Sequence, residues 1–222
     1  MAEPTDADLP RLGGITEPMT VATNVMIAVF AFALTLRLGY YASAEGLKAA
    51  GAIAGALMGT AFASVLGAVA HGVDPLVDRE LRQRMWRASL HAMTLIGVGS
   101  IMSVAFFAAR GPVRVAILAF VGLKFLWSNV AIARRPEFRV AAADYGGALA
   151  IVLVGAVYAA IRWSEPGAPW LIAAIVVTLV ATVAQARRVG FHRHFNHNDL
   201  FHVIQLVALY LFYRGGLLLV DR

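Results

Sequence analysis

The stretch "LIAAIVVTLVATVA", residues 171–184, decides the fold. Its apolar residues follow one another without alternation, and it contains no charged residue. Transmembrane β-strands alternate apolar and polar residues over segments of about ten, whereas an uninterrupted apolar run is typical of a membrane-spanning helix. The run "VAILAFVGLKFLW", residues 115–127, has the same character apart from a single lysine. The chain is therefore predicted to be all-α and to lie in a membrane.

Similar apolar runs recur along the whole chain, of which 60% is hydrophobic and only 14% charged. A soluble domain is about 45 to 50% apolar, and a helix needs about 20 apolar residues to cross a bilayer. We predict seven spans, over residues 19–41, 47–72, 84–109, 112–133, 138–162, 167–186 and 199–219. The sequence thus predicts one transmembrane domain of seven helices over residues 19–222.

The first 18 residues, "MAEPTDADLPRLGGITEP", are polar, acidic on balance and rich in Pro and Gly, and they are predicted to form a disordered tail over residues 1–18. A cleaved signal peptide fits this leader poorly. Such a peptide begins with basic residues and has an apolar region of about 7 to 15 residues, whereas this leader is acidic and the run that follows it is longer.

The charged residues indicate an orientation rather than a nucleic-acid partner. The formal net charge is +6, but the basic residues fall in short loops between spans, where the positive-inside rule selects them. More of them lie on the side of the N-terminus, so we expect a cytoplasmic N-terminus and an outer C-terminus, in a bacterial inner membrane. The chain has no Cys, which excludes disulfides and thiolate metal ligands.

Polar residues within the spans are concentrated toward one membrane face. With a cytoplasmic N-terminus, the inner half contains Ser64, His71, His91, Ser128, Asn129, Asp144, Gln185 and His202. The outer half is expected to hold Thr23, Asn24 and Ser103. Because polar side chains in hydrocarbon usually face a bundle interior or a watery cavity, this asymmetry predicts a cavity that opens to the cytoplasm.

The segment "FNHNDLFHVIQLVALYLFYRGG", residues 195–216, contains the strongest candidates for chemistry. Asp199 and His202 share one helix face through their i, i+3 spacing. With His71 arriving from the second span, they could supply nitrogen and oxygen ligands for zinc. Ser64 could hydrogen-bond a metal-bound water or an oxyanion. His197, in the loop "GFHRHFNHND", is a further candidate ligand, although such a loop can also be simply solvated and basic.

These residues resemble the CREST superfamily of seven-helix membrane hydrolases, which includes alkaline ceramidases, progestin and adiponectin-type receptors and hemolysin III-like proteins. The resemblance covers nearly the whole chain and includes Ser64, His71 and the segment "FHVIQLVALYLFYRG". It implies zinc-dependent hydrolysis of a lipid amide or ester, with His71 and His202 as metal ligands and membrane lipids as partners. The family's HxxxH motif is changed, because Asn198 stands four residues before His202. Asp199 is then a candidate for the missing ligand or base.

A non-catalytic membrane protein, such as a transporter, a pH or lipid sensor or an assembly subunit, is the alternative. Asp199 can be explained as an acid at a helix N-terminus, and His71 as an imidazole at a helix C-terminus. His202 can be a hydrogen-bonding histidine of the bundle interior. A histidine-rich membrane half can also sense pH, because histidine changes charge near neutrality.

Two further features have structural explanations of their own. Lys124 lies in the middle of the fourth span and can snorkel to the surface, pair with Asp144 or neutralise a lipid phosphate. Gly51, Gly55 and Gly59 are spaced four apart and predict a small-residue stripe for close helix contact.

Overall fold

The computed structural model describes residues 11–12, 14–72, 78–192 and 194–222. This part of the chain contains seven helices, each long and apolar enough to cross a bilayer. They are α1 (Pro18–Glu45), α2 (Lys48–Gly72), α3 (Arg79–Phe107), α4 (Gly111–Arg134), α5 (Phe138–Trp163), α6 (Ala168–Ala186) and α7 (His197–Leu218). Each predicted span corresponds to one helix, so the all-α prediction is confirmed. The chain is a multi-pass membrane protein.

The helix ends follow from local sequence. Pro18 occupies the first turn of α1, where a missing N–H costs nothing. Gly46 ends that helix in the left-handed region, with φ of 68°, and its N–H bonds to the carbonyl of Ala42. The side chain of Asp78 accepts the N–H of Leu81 at 2.8 Å and caps the start of α3. The connections from α1 to α2 and from α3 to α4 are two and three residues long, so the helices that they join run antiparallel.

α2 and α3 form the centre of the bundle. α2 packs against α1, α3 and α7, while α3 also contacts α4 and α5. In the most apolar 18-residue stretch of each of these two helices, 61% of the residues are buried, compared with 17% in α4. Apolar side chains from all the helices except α4 fill the main core, including Leu38, Ile53, Phe107 and Leu171. α4 therefore lies at the periphery and faces lipid along most of its length.

Glycine sets the distance between α2 and α3. A Cβ atom at Gly99 would lie 2.5 Å from both the carbonyl oxygen of Ala52 and the amide nitrogen of Ala56. The predicted glycine stripe on α2 has this role only at Gly59, where a Cβ would lie 2.9 Å from the side chain of Leu95. Gly55 has nothing within 4 Å, so the prediction of close helix contact is wrong there.

We expect Gly99→Ala to destabilise the bundle, because the new methyl group meets backbone atoms that cannot rotate away. Overpacking of this kind costs about 1 to 3 kcal/mol. Thermal unfolding in detergent should show a lowered midpoint. Gly55→Ala is the matched control and should leave the midpoint unchanged or raise it, since Ala favours a helix. Equal midpoints for the two variants would contradict the close approach.

Two short strands precede α1. β1 (Arg11–Leu12) and β2 (Ile15–Thr16) pair antiparallel. The hydroxyl of Thr16 donates to the carbonyl oxygen of His71 at 2.5 Å, which fixes this hairpin against the end of α2. The rest of the predicted tail, residues 1–10 and 13, lies outside the described residues.

At the end of the bundle opposite the β1–β2 hairpin, a buried carboxyl group joins the loop between α5 and α6 to Val220 and Arg222. Glu165, in the loop between α5 and α6, is only 1% exposed. It accepts the backbone N–H of Val220 at 3.0 Å and pairs with the guanidinium of Arg222 at 2.8 Å. Burial raises the pKa of Glu165 above its ordinary value, and the bonds from Val220 and Arg222 oppose that shift without cancelling it.

The raised pKa of Glu165 predicts a pH-dependent stability. A carboxyl group whose pKa is higher in the folded state stabilises the fold fully below its unfolded-state pKa, about 4.3 for Glu. That contribution is lost as the pH rises through the folded-state pKa. Between pH 4 and pH 8, a range of about four units that begins near the unfolded-state pKa of Glu, the thermal midpoint of the wild type should therefore fall relative to that of Glu165→Gln. Glu45→Gln, at an exposed position, should follow the wild type. Parallel pH curves for wild type and Glu165→Gln would contradict the shift.

Candidate functional site

The start of α7 is built around Asp199, which is completely buried. Its Oδ2 accepts the backbone N–H of Asn196 at 2.7 Å, and the side chain of Asn196 accepts the N–H of Asn198 at 2.8 Å. This reciprocal arrangement is a capping box, which satisfies amides that a helix start leaves free. The other oxygen, Oδ1, accepts the hydroxyl of Thr20 at 2.9 Å. Asp199 thus joins the beginning of α7 to α1.

His202 lies one turn further along α7 and faces α1. Its Nδ1 is 2.9 Å from the hydroxyl oxygen of Thr23. That hydroxyl has a carbonyl acceptor in Thr20 at 3.2 Å, so its oxygen can accept the Nδ1 proton of His202. In this tautomer Nε2 carries the lone pair. Nε2 has no hydrogen-bond partner among the residues that the structure describes.

The expected position of Thr23 and Asn24 in the outer half is wrong. Both lie in the half that contains His202, since they occupy the second turn of α1 and α1 begins on the same side as α7. Asn24 packs toward α2, where its Oδ1 would be 3.2 Å from a Cβ at Gly67. Polar groups of α1 therefore contribute to the same cluster as those of α2 and α7.

His71 ends α2 and is held by an acid. Its Nδ1 is 2.8 Å from Oε2 of Glu17, the residue that precedes α1. A carboxylate can only accept, so Nδ1 carries a proton, and in the neutral ring Nε2 then has the lone pair. The side chains of His71 and Glu17 are 26% and 15% exposed. The ring of His71 also meets the edge of Trp86, with centroids 6.4 Å apart.

The structure brings three of the predicted site residues into one region. His71 and His202 both contact the beginning of α1, His71 through Glu17 and His202 through Thr23. Asp199 joins them through its bond to Thr20, and His197, the first residue of α7, lies beside this region. We call the set Glu17, Thr20, Thr23, His71, Asp199 and His202 the two-histidine cluster.

Ser64 lies deeper along α2 than this cluster. It is buried, and seven residues of helix separate it from His71, which is about 10 Å along the axis. Its hydroxyl forms no hydrogen bond with another residue described in the structure. The structure therefore places Ser64 on the same helix as His71, two turns nearer the membrane centre.

No group of three or more His, Asp or Glu side chains within the described residues has the arrangement of a metal site. One reason is that Asp199 already uses one oxygen for the capping box and the other for Thr20. Glu17 and Thr20 were not found from the sequence. The signal for Glu17 was its position directly before Pro18, which begins an apolar helix.

A second polar cluster connects α3, α4 and α5. Lys124 and Asp144 form an ion pair at 2.5 Å, with side chains 13% and 8% exposed. The hydroxyl of Ser128 donates to the same Oδ1 atom, whereas Oδ2 of Asp144 has no hydrogen-bond partner among the described residues. A Cβ at Gly97 would lie 3.0 Å from the Lys124 ammonium. Of the alternatives for Lys124, the structure shows the pair with Asp144.

His91 belongs to this second cluster and not to the first. Its Nδ1 is 2.7 Å from Oδ1 of Asn129, whose amide donates to the hydroxyl of Thr94 at 3.2 Å. These bonds run from α3 to α4, while the Lys124 ion pair runs from α4 to α5. α4 is otherwise mostly exposed to lipid, so these polar bonds add to the apolar contacts that Val121 and Ile132 make with α3 and α5.

We expect Lys124→Met to lower the thermal midpoint strongly, because it leaves the Asp144 carboxylate buried without its counter-charge. Removal of one partner of a buried ion pair costs about 3 to 5 kcal/mol, whereas replacement of both by apolar residues is often neutral. The double variant Lys124→Met/Asp144→Leu should therefore regain most of the loss. A double variant as unstable as the single one would contradict an attachment based on charge pairing.

The chain belongs to DUF6962, a family of unknown function, whose model matches residues 19–221. The matched region begins one residue after the start of α1 and extends past the end of α7. The family is thus defined over the whole helical bundle. A comparison with curated proteins gives no match.

Proposed function

We propose that this protein is a metal-dependent membrane hydrolase that acts on a lipid amide or ester, with His71 and His202 at its centre. One observation carries the proposal. Two imidazoles from different helices, α2 and α7, each have Nδ1 held by a residue at the start of α1: Glu17 for His71 and Thr23 for His202. Metal-binding histidines usually have this arrangement, in which one nitrogen is anchored and the other is presented to the ion.

The donors present fit a zinc ion in part. His71 and His202 each offer an Nε2 lone pair, and zinc accepts imidazole nitrogen readily. Asp199 is committed to the start of α7. His197 is the remaining donor of the predicted set. It lies on the first turn of α7, at the same end of the bundle as His71. A zinc ion bound by these residues would supply a water molecule acidified toward neutrality.

The neighbouring residues have supporting roles in this proposal. Glu17 fixes the tautomer of His71 and increases the basicity of its Nε2, as an acid behind a ligating histidine does. Thr23 orients the ring of His202. Asp199 ties α7 to α1 and so holds His202 at a constant depth. Ser64 would contact the substrate on the side toward the membrane centre, where the acyl part of a lipid lies.

The resemblance to CREST hydrolases supports the substrate class, since it implies hydrolysis of lipid amides or esters. The excess of basic residues on the side of the N-terminus supports a cytoplasmic location for the two-histidine cluster. Membrane lipids are then the proposed partners, and a bacterial inner membrane the proposed location.

Metal analysis of the purified full-length chain tests this proposal. We expect about one zinc per chain in the wild type, as in a structural or catalytic mononuclear site, and strongly reduced zinc in His71→Ala and His202→Ala. Glu17→Gln should weaken zinc binding about 10- to 100-fold, the usual effect of removing a group behind a ligand. Release of fatty acid from amide- and ester-linked lipids should fall in the same order.

His192→Ala is the control for this series, because His192 lies in an exposed loop outside the cluster. It should retain zinc and activity. Wild-type protein that lacks zinc after purification without chelators and after zinc addition would refute the metal-dependent mechanism. Equal zinc content in the His192 and His71 variants would refute the assignment of ligands.

The absence of a three-ligand group among the described residues, together with the direct contact between His71 and Glu17, favours a second candidate. In this second candidate the cluster responds to pH, because a contact between an imidazole and a carboxylate joins the end of α2 to the start of α1. Hydrogen exchange of residues 14–24 would then change with pH in the wild type but not in Glu17→Gln, with no dependence on zinc.

A further inference from the structure

An apolar groove opens toward lipid between α4 and α5, at the end of the bundle opposite the two-histidine cluster. Its volume is about 700 Å³, within the range of about 300 to 1,000 Å³ that is usual for small-molecule sites. α4 and α5 form its walls and α3 its floor. Its wall residues include Val113, Ile117, Ala150 and Val154.

The groove exists because α5 packs tightly on α3 while α4 does not close over it. A Cβ at Gly155 would lie 2.6 Å from the side chain of Val104, so these two helices are in close contact at the floor. Val113 and Val154 on the facing walls are 60% and 70% exposed. In a bilayer such surfaces are covered by hydrocarbon.

The mouth of the groove has a cation, Arg110, with no acid partner in the described part of the chain. Arg110 lines the opening, is exposed, and stacks over the ring of Trp163 at 5.7 Å from the centroid. Its guanidinium has no ion pair or hydrogen bond with any residue of the described ranges. Tyr158 and Trp163 stand beside it, and such aromatic residues mark the level of lipid headgroups. One end of the groove is therefore charged and the other is hydrocarbon-like.

The length of the groove matches one leaflet. From Arg110 to Ile117 on α4 is seven residues, or about 10 Å, and from Trp163 to Ala150 on α5 is about 20 Å. Half of a hydrocarbon core is about 15 Å. An acyl chain that starts at the headgroup level and runs toward the bilayer centre would lie along these walls.

We propose that this groove binds an anionic phospholipid, with its phosphate at Arg110 and an acyl chain between α4 and α5. The charge of the mouth selects the anionic headgroup, and the apolar walls select the chain. The site is independent of the proposed hydrolytic centre, because it opens at the opposite ends of the helices. A lipid bound here would fill the space between α5 and α4.

Native mass spectrometry of the full-length chain in detergent tests the proposal, with phosphatidylglycerol and phosphatidylcholine of the same acyl chains as probes. We expect tighter binding of phosphatidylglycerol to the wild type. Arg110→Gln should weaken that binding about fivefold, the effect of one basic residue at an anionic membrane surface, and should remove the preference between the two lipids. Ala150→Phe should fill the groove and abolish binding of both.

Two matched variants control for general effects. Arg162→Gln removes an exposed arginine at the same end of the bundle, and Ala119→Phe adds a ring to an exposed position of α4; neither residue lines the groove. Both should bind phosphatidylglycerol as the wild type does, and thermal midpoints in detergent identify any variant that fails to fold.

Three outcomes would overturn the proposal. These are equal binding of the two lipids to the wild type, unchanged binding in a folded Ala150→Phe variant, and a wild-type dimer that Ala150→Phe dissociates. The last result would show that a second copy of the chain covers the groove.

Discussion

The lack of water in a bilayer core is the constraint on which the structure depends. A polar group there must find its partner within the protein. Backbone amides find theirs within each helix, and Thr35 and Thr178 do the same by donating to carbonyls four residues earlier at 2.8 and 2.9 Å. Side chains that cannot turn back on their own helix must bond to another helix. These bonds therefore mark the places where helix positions are fixed.

The contacts between helices are of two kinds, close backbone packing and polar bonds between side chains, and different helices depend on different kinds. α2 and α3 are held by close backbone contact at Gly99 and Gly59, where dispersion forces act over a large area. α4 has little such contact, and its polar bonds through Lys124 and Asn129 compensate for this. α4 is attached by these polar bonds together with two small apolar clusters around Val121 and Ile132, which distinguishes it from the central pair.

The sequence was sufficient to predict the spans but not their rotations. In water, the polar face of a helix identifies the side that faces outward, whereas lipid and protein interior are equally apolar. Gly55 and Gly59 are therefore indistinguishable in sequence, although only Gly59 contacts a neighbour. Asp199 was recognisable as a helix-start acid because capping is local. Its bond to Thr20 depends on helix packing, and the partnership of Glu17 with His71 depends on where the chain before Pro18 lies.

The two candidate functions of the two-histidine cluster use the same atoms. Glu17 and Thr23 take the Nδ1 positions of the two imidazoles, so the metal-dependent proposal and the pH-responsive proposal both depend on the Nε2 lone pairs. A metal ion bound there would need both imidazoles in the neutral form, and its binding would release any proton held at Nε2. The two proposals therefore differ in what the imidazoles share: a metal ion would join α2 to α7 through one centre, whereas a proton would act on each imidazole separately.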